Sequence, residues 1–149
     1  MREILFRGKR KDSGEWVYGF LCKTYSPSNP KTRDAIMHKN EPSCWAEYSC
    51  AEIDVATVGQ FTGLTDKKGK KIFEGDIVRT LAPCSIDNYV KGVVMFGEYP
   101  TTYQSSNCGY YVKWQLILNK NLAMYCAKND IEIIGNIHDN PELLKGEKE

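Results

Sequence analysis

Alternation of apolar and polar residues with a period of two is the feature that most constrains the fold of this chain. The clearest run carries an apolar series on one face: Tyr110, Val112, Trp114, Leu116 and Leu118. This alternation is typical of a β-strand, and we expect the series to lie on a core. No segment alternates strand signals with long helical periods, so the pattern excludes a doubly wound α/β sheet.

Further strand signals recur along the chain and are separated by turn-forming residues. The polar stretch 11–14 between residues 4–7 and 15–21 predicts a hairpin. Other predicted strands are 34–38, 45–48, 53–61, a strand opening at Ile77, 91–96 and a closing strand over 131–137. Two polar stretches, 26–33 and 97–109, are predicted to be surface loops.

Glycines and one proline predict where strands break and where a short helix begins. Gly59 and Gly63 are expected to interrupt the strand that starts at Ile53, and residues 122–127 fit helix or strand equally. Asn140 followed by Pro141 predicts an N-cap and one or two turns of helix. A Gly75-Asp76 step, with a Gly-Val-Val strand a dozen residues later, is common in small, strongly bent SH3-like barrels, where glycine lets short strands curl.

These signals together predict the fold class. We expect a mainly β protein with a small, bent, SH3-like or barrel-like antiparallel sheet, an additional β layer or hairpin, and a short C-terminal helix. The length of 149 residues and the 42% hydrophobic content suit one globular domain over residues 1–149 and exclude overall disorder.

Charge and cysteine usage bear on partners and compartment. The 20 Lys+Arg against 19 Asp+Glu leave a net charge of +1, which excludes polyanion binding driven by bulk charge but not by a local patch. The opening apolar run, residues 4–6, stops at Arg7 and is too short for a secretory signal or a membrane span. We therefore expect a cytoplasmic protein whose six cysteines are free thiols.

A lysine-rich turn is the candidate nucleic-acid-binding site. Its members are Lys67, Lys68, Lys70 and Lys71. Basic residues beside exposed aromatic rings can bind single-stranded nucleic acid, but a lysine-rich turn is more often a solvated edge. The aromatic stripe Trp16, Tyr18 and Phe20 is interpreted as the core face of a strand, with a stacking platform as the alternative. The tyrosines around 97–109 fit an interaction surface and local packing equally.

Catalytic and metal-binding patterns are weak. His38, Cys44 and Cys50 are spaced by six residues, which is not the close spacing of zinc ligands, and no cofactor or metal is expected. A pair of His38 and Cys44 has no identifiable orienting partner, and His138 fits a surface position beside Asp139. Glu74 and Asp76 fit acid–base chemistry, but charge balance beside four lysines explains them more simply. We therefore expect a protein that is not an enzyme.

Three segments resemble the YopX family of phage and prophage proteins. They are residues 4–7 with 16–19, residues 57–78, and residues 131–144, in the same order along the chain. The resemblance implies a mainly β protein of phage or prophage origin, with no established activity and no catalytic or binding residues to carry over. Residues 22–52 and 97–130 carry no such signature.

The leading hypothesis is a non-enzymatic interaction protein of phage origin that self-associates. Its partner would be a second copy or an unknown phage or host macromolecule, with no role for a membrane. The alternative is a nucleic-acid-binding module that uses the lysine-rich turn. A third hypothesis is a small hydrolase or metal enzyme built on His38, Cys44 or His138.

Overall fold

The computed structural model describes residues 3–26, 29–40, 47–81, 89–100, 106–114, 122–123 and 131–145. The chain divides into two compact units, Met1–Phe61 and Thr62–Glu149. The described residues form β-strands, with one short 3₁₀ helix near the C-terminus. The prediction of a mainly β protein is therefore confirmed.

Ten strands are described. They are β1 (Phe6–Arg10), β2 (Trp16–Ser26), β3 (Asn29–Lys39), β4 (Tyr48–Thr65), β5 (Lys71–Phe73), β6 (Asp76–Leu81), β7 (Tyr89–Pro100), β8 (Ser106–Trp114), β9 (Leu122–Ala123) and β10 (Glu132–Asn136). The 3₁₀ helix covers Pro141–Leu144.

The first unit is a small closed barrel. Strands β1, β2, β3 and β4 pair antiparallel in that order, and β4 pairs back with β1. The interior is filled by Val17, Ile36, Ala51 and Ile53, with Phe6 and Val58 packed against them. Close packing requires glycine at position 19, where a Cβ would lie 2.0 Å from the Met37 carbonyl oxygen. The predicted barrel-like sheet is confirmed, but it is built from the N-terminal strands, whereas the Gly75-Asp76 and Gly92 steps that suggested a barrel lie in the sheet of the second unit. Strand β5 follows β4 in the hydrogen-bonded order as an extra strand.

The second unit contains a five-stranded antiparallel sheet in the order β10-β6-β7-β8-β9. Its core consists of Ile72, Val78, Val94, Val112 and Ile131. Gly75 has a φ of +81° in the tight turn between β5 and β6. Directly after it, the buried Asp76 carboxylate accepts a hydrogen bond of 2.8 Å from the Phe73 N–H. The predicted break at Gly75 and the strand opening at Ile77 are confirmed.

Both predicted surface loops are wrong over most of their length. Residues 26–33 contribute to a hairpin in which Thr24 pairs with Arg33, and Lys23 forms a 2.7 Å ion pair with Asp34. Strand β7 continues through Pro100 and β8 begins at Ser106, so the described part of 97–109 is also a hairpin. Backbone hydrogen bonds between the paired strands stabilise both hairpins. Their polar side chains can therefore stay in solvent without preventing strand formation.

The aromatic stripe on β2 was predicted to face the core, and this is wrong. Tyr18 and Phe20 are 48% and 54% exposed, whereas Val17 between Trp16 and Tyr18 is buried. Both faces of this strand are apolar, so alternation alone does not say which is inside. A four-stranded barrel has a narrow interior, which admits the smaller side chains and leaves the large rings outside.

Smaller differences concern the strand and helix ends. Strand β4 runs through Gly59 and Gly63 rather than stopping there, with Gly63 at a φ of +86°. Asn140 precedes the 3₁₀ helix, but its side chain makes no capping hydrogen bond. Val112 is fully buried as predicted, and Tyr111 on the opposite face of β8 is buried as well. Leu116, Leu118 and the segment 124–127 lie outside the described residues.

Candidate functional site

The lysine-rich turn lies between β4 and β5 and is built around Asp66. This buried carboxylate accepts hydrogen bonds of 2.9 Å from the backbone N–H groups of Lys68 and Lys70, and one of 3.3 Å from Ile133. Gly69 completes the turn with a φ of +80°, a conformation that costs glycine little. Asp66 therefore fixes the backbone from which the lysines project.

The carboxylate of Glu132 on β10 forms ion pairs with lysines of this turn. Its carboxylate lies 2.8 Å from Lys67 Nζ and 2.6 Å from Lys68 Nζ. Arg79, its neighbour across the β6–β10 ladder, donates a third contact at 2.9 Å. The Lys67 N–H also donates to the Ile131 carbonyl at 2.9 Å, which holds the turn beside β10. Two of the four predicted lysines are thus drawn onto one carboxylate.

The electrostatics of Glu132 follow from these three cations. Hydrogen bonds from Lys67, then Lys68, then Arg79 lower the pKa of the Glu132 carboxyl well below its usual range. The side chain is only 9% exposed, so the carboxylate is held within the cluster. It neutralises part of the positive charge that the sequence places at the turn.

Sequence reasoning missed Glu132 as the partner of the lysines. Glu74 and Asp76 are nearer in sequence and were interpreted as their charge balance. Asp76 is instead 2% exposed and accepts the Phe73 N–H, which assigns it a role in the β5–β6 turn. Glu132 is more than sixty residues from the turn, and only the pairing of β10 with β6 brings it there.

The outside of the first unit's barrel carries a second candidate site. Residues that pair across the ladder share a face, and Phe20, Met37 and Cys50 form one such row over β2, β3 and β4. Tyr18 and Tyr48 lie two residues along β2 and β4, on the same face. We call Tyr18, Phe20, Met37 and Tyr48 the outer aromatic face; their exposed fractions are 48%, 54%, 37% and 50%.

Cations border the outer aromatic face. The Arg7 guanidinium lies 4.7 Å from the centre of the Trp16 ring, and Lys9 Nζ lies 5.6 Å from it. Lys39 is directly opposite Tyr48 in the β3–β4 ladder. Aromatic rings and positive groups therefore alternate on one sheet surface, an arrangement suited to cation–π contacts.

The histidines do not assemble with cysteine in the described structure. The ring of His38 lies 3.2 Å from the Ser49 hydroxyl, and Ser49 points to the opposite face of β4 from Cys50. Cys44 lies outside the described residues. His138 is in the second unit, where its backbone N–H donates to Asn136 Oδ1 at 2.9 Å. No group of three or more His, Cys, Asp or Glu side chains suited to a metal ion occurs in the described parts of the chain.

Tyr99, Tyr110 and Tyr111 of the β7–β8 hairpin each pack against another aromatic ring. The rings of Tyr99 and Tyr111 are 5.6 Å apart, and those of Phe96 and Tyr110 are 5.0 Å apart. This observation favours local packing over an interaction surface for these residues. Tyr103 lies outside the described residues.

A membrane-crossing helix is not found among the residues that the structure describes.

Comparison with known proteins adds a family and a fold relative. The crystal structure of protein EF1440 from Enterococcus faecalis is similar, with 23% identity and a TM-score of 0.50 over 97% of this chain and 99% of that one. No curated protein matches this chain. The family model described as YopX protein matches residues 5–145.

The closed four-stranded barrel, its extra strand and the second sheet define a mainly β protein of small-barrel architecture. Within that class, the family match covers nearly the whole chain. The protein belongs to the YopX family, as the resemblance of its three segments predicted.

Proposed function

We propose that this protein is a non-enzymatic interaction protein that self-associates through the outer aromatic face. The observation that carries the proposal is the exposure of four large apolar side chains on one surface of a closed barrel. Contiguous exposed apolar surface of this kind is typical of interaction sites in soluble proteins.

The closure of the barrel favours contact through side chains. Residues 20–26 of β2 and 29–34 of β3 pair only within their own hairpin, but in the closed part of the barrel each strand has two hydrogen-bonded neighbours. Association by strand addition is therefore disfavoured in the closed part of the barrel. The outer aromatic face remains as the surface on which burial of apolar area would stabilise a complex.

A second copy of this chain is the partner that the face fits best. Most homo-oligomers are two-fold symmetric, so the same surface must complement itself. Lys39 lies beside Tyr48, and Lys9 lies beside Trp16. In a two-fold pair, the cations of one copy can contact the rings of the other.

Sedimentation velocity over a range of protein concentrations tests the proposal. We expect wild-type protein to form a dimer, and Phe20→Ser and Tyr48→Ser each to raise the dissociation constant about tenfold or more. Truncation of a central interface aromatic costs about 2–4 kcal/mol, and 1.4 kcal/mol corresponds to a factor of ten. Both rings are half exposed, so these variants should fold normally.

Tyr25→Ser is the matched control. Tyr25 is 65% exposed on the same strand, but it lies in the outer arm of the β2–β3 hairpin, beyond the residues of β2 that pair with β1. It should leave the dimer intact. A wild-type protein that stays monomeric at the highest concentrations reached, or a dimer equally weakened by Tyr25→Ser, would refute the assignment to this face.

Nucleic-acid binding by the lysine-rich turn is the second candidate function. Lys68 is 69% exposed in spite of its ion pair, so it remains accessible to a phosphate. Fluorescence anisotropy with short single-stranded RNA and DNA should show binding that weakens steeply with salt and with Lys68→Gln and Lys70→Gln. Lys23→Gln, an exposed ion-paired lysine of the first unit, is the control. Binding without salt dependence would exclude this function.

The origin and compartment are part of the same proposal. A source in a phage or prophage is supported by family membership. Location in the host cytoplasm follows from such an origin in the same proposal, because a prophage gene is translated there. Expression of the gene after prophage induction, measured in the bacterium that carries it, tests the first of these points.

A further inference from the structure

Two cysteines of the first unit meet on the outside of the barrel. Cys22 on β2 and Cys50 on β4 flank the central strand β3, and their Sγ atoms are 3.9 Å apart. Cys22 pairs with Ala35, and Cys50 pairs with Met37, two residues further along β3. The small Ala35 side chain lets the two thiols approach over it. We call Cys22 and Cys50 the thiol pair.

Strand spacing opposes a disulfide between these residues. Neighbouring strands are about 4.8 Å apart, so two strands separated by a third are roughly 9–10 Å apart at their backbones. A disulfide requires Cα atoms no more than about 7 Å apart. The thiol pair can close only if the barrel deforms, and the two sulfur atoms therefore remain available as separate ligands.

We propose that the thiol pair binds a soft, thiophilic metal ion of the Cu(I) or Cd(II) type between its two sulfur atoms. Zinc–thiolate bonds of about 2.3 Å in a tetrahedral site place two ligand sulfurs about 3.8 Å apart, and the longer bonds of the larger Cd(II) ion place them slightly further apart. The two thiols, which share a hydrogen bond, are 3.9 Å apart and so have this spacing without movement of the backbone. This site goes beyond the interaction function and does not depend on it.

Neighbouring side chains favour a soft ion over a hard one. Met37 lies opposite Cys50 on the same face, and thioethers are ligands that Cu(I) accepts readily. The nearest carboxylate in the register is Glu52, opposite Ala35. It is held by Lys11 at 2.8 Å and Arg33 at 3.1 Å, so its oxygens are already engaged.

Binding at the thiol pair is a proton exchange without change of oxidation state. Each thiol releases its proton to the solvent, and each resulting thiolate donates an electron pair to the metal ion. Burial, followed by the nearby Cys50, raises the pKa of the Cys22 thiol. The metal must therefore displace a bound proton at neutral pH.

A variant that retains only the thiol pair provides the test. Cys44, Cys84, Cys108 and Cys126 are replaced by serine, and the protein is titrated anaerobically with Cd(II) while thiolate-to-metal charge transfer is followed in the ultraviolet. We expect saturation at one ion per chain. Further replacement by Cys22→Ser or Cys50→Ser should abolish the band, with circular dichroism confirming the fold.

The full-length wild-type chain gives a second readout that does not require the four replacements. Cu(I) competition with a chromogenic chelator should be lost in Cys22→Ser and retained in Cys108→Ser, an exposed cysteine of the second unit. Retention of binding in Cys22→Ser and Cys50→Ser would overturn the site. Loss of two hydrogens on air exposure of the pair-only variant, seen by intact mass, would overturn it as well, because the pair would then be a disulfide.

Discussion

Replacement of Asp66 tests whether one buried carboxylate holds the lysine-rich turn. Its Oδ1 accepts two backbone hydrogen bonds of 2.9 Å, from Lys68 and Lys70, and its Oδ2 accepts a longer one of 3.3 Å from Ile133. Hydrogen bonds to charged groups contribute about 1.5–3 kcal/mol each. Because the turn is exposed, the freed N–H groups regain water, and the lower bound applies.

Asp66→Ala should therefore lower the free energy of unfolding by about 3 kcal/mol, since both short bonds are lost. Asp66→Asn retains an uncharged oxygen for the turn but places an amide group near the Ile133 N–H. Its expected cost is about 1–2 kcal/mol, because neutral hydrogen bonds contribute about 1 kcal/mol. The free energy of unfolding should therefore decrease from wild type to Asp66→Asn to Asp66→Ala.

Urea unfolding followed by circular dichroism measures these differences, with an unchanged slope expected for folded variants. Amide exchange adds a local measure, since the N–H groups of Lys68 and Lys70 should exchange faster in Asp66→Ala. Asp34→Ala, which removes an exposed ion pair with Lys23, is the control and should cost less than about 1 kcal/mol. The reasoning fails if Asp66→Ala is no more destabilising than this control.

Three further predictions concern the core, the backbone and acid stability. Ile36→Ala should cost about 2–5 kcal/mol in urea unfolding, whereas Met37→Ala on the exposed side of the same strand should change stability by less than about 1 kcal/mol. Gly19→Ala should prevent normal folding or cost more than Gly14→Ala, because a Cβ at Gly19 meets the Met37 carbonyl oxygen at 2.0 Å. A Cβ at Gly14 meets nothing within 4 Å, so that variant carries only the cost of its φ of +73°, about 1–2 kcal/mol. Equal thermal melts for the two glycine variants would contradict the close approach. Because the pKa of the Glu132 carboxyl is lowered in the folded state, its contribution is complete above the unfolded value of about 4.3 and is lost as pH falls through the folded value. The stability advantage of wild type over Glu132→Gln should thus shrink below about pH 4, and an advantage unchanged in acid would contradict the ion cluster.

Local sequence patterns predicted the parts of the fold that depend on neighbouring residues. The hairpin around 11–14, the break at Gly75 and the strand at β10 each follow from turn residues beside β-branched ones. The inward face of β2 did not follow, because Trp16, Tyr18 and Phe20 are as apolar as Val17 and Leu21 beside them. The width of the barrel interior decides which face of β2 is buried, and this width is known only once the barrel is closed.

The candidate sites show the same division. The four lysines were identified from the sequence because they are adjacent, but Glu132 was not, because its place beside them depends on a distant strand pairing. Cys22 and Cys50 are 28 residues apart, and only the β2–β3–β4 register brings their sulfur atoms together. The exposure of the outer aromatic face likewise required the register.

The pairing of β10 with β6 sets the order in which the second unit can be completed on the ribosome. Strand β6 ends at Leu81, but the neighbour on its outer side begins at Glu132. Until that stretch has left the exit tunnel, one side of β6 has unsatisfied amides and carbonyls, and Arg79 has no Glu132 to contact. A nascent chain stalled before residue 131 therefore exposes an unpaired edge of β6 that β10 covers in the complete protein. Binding of chaperones to such stalled chains would detect this edge.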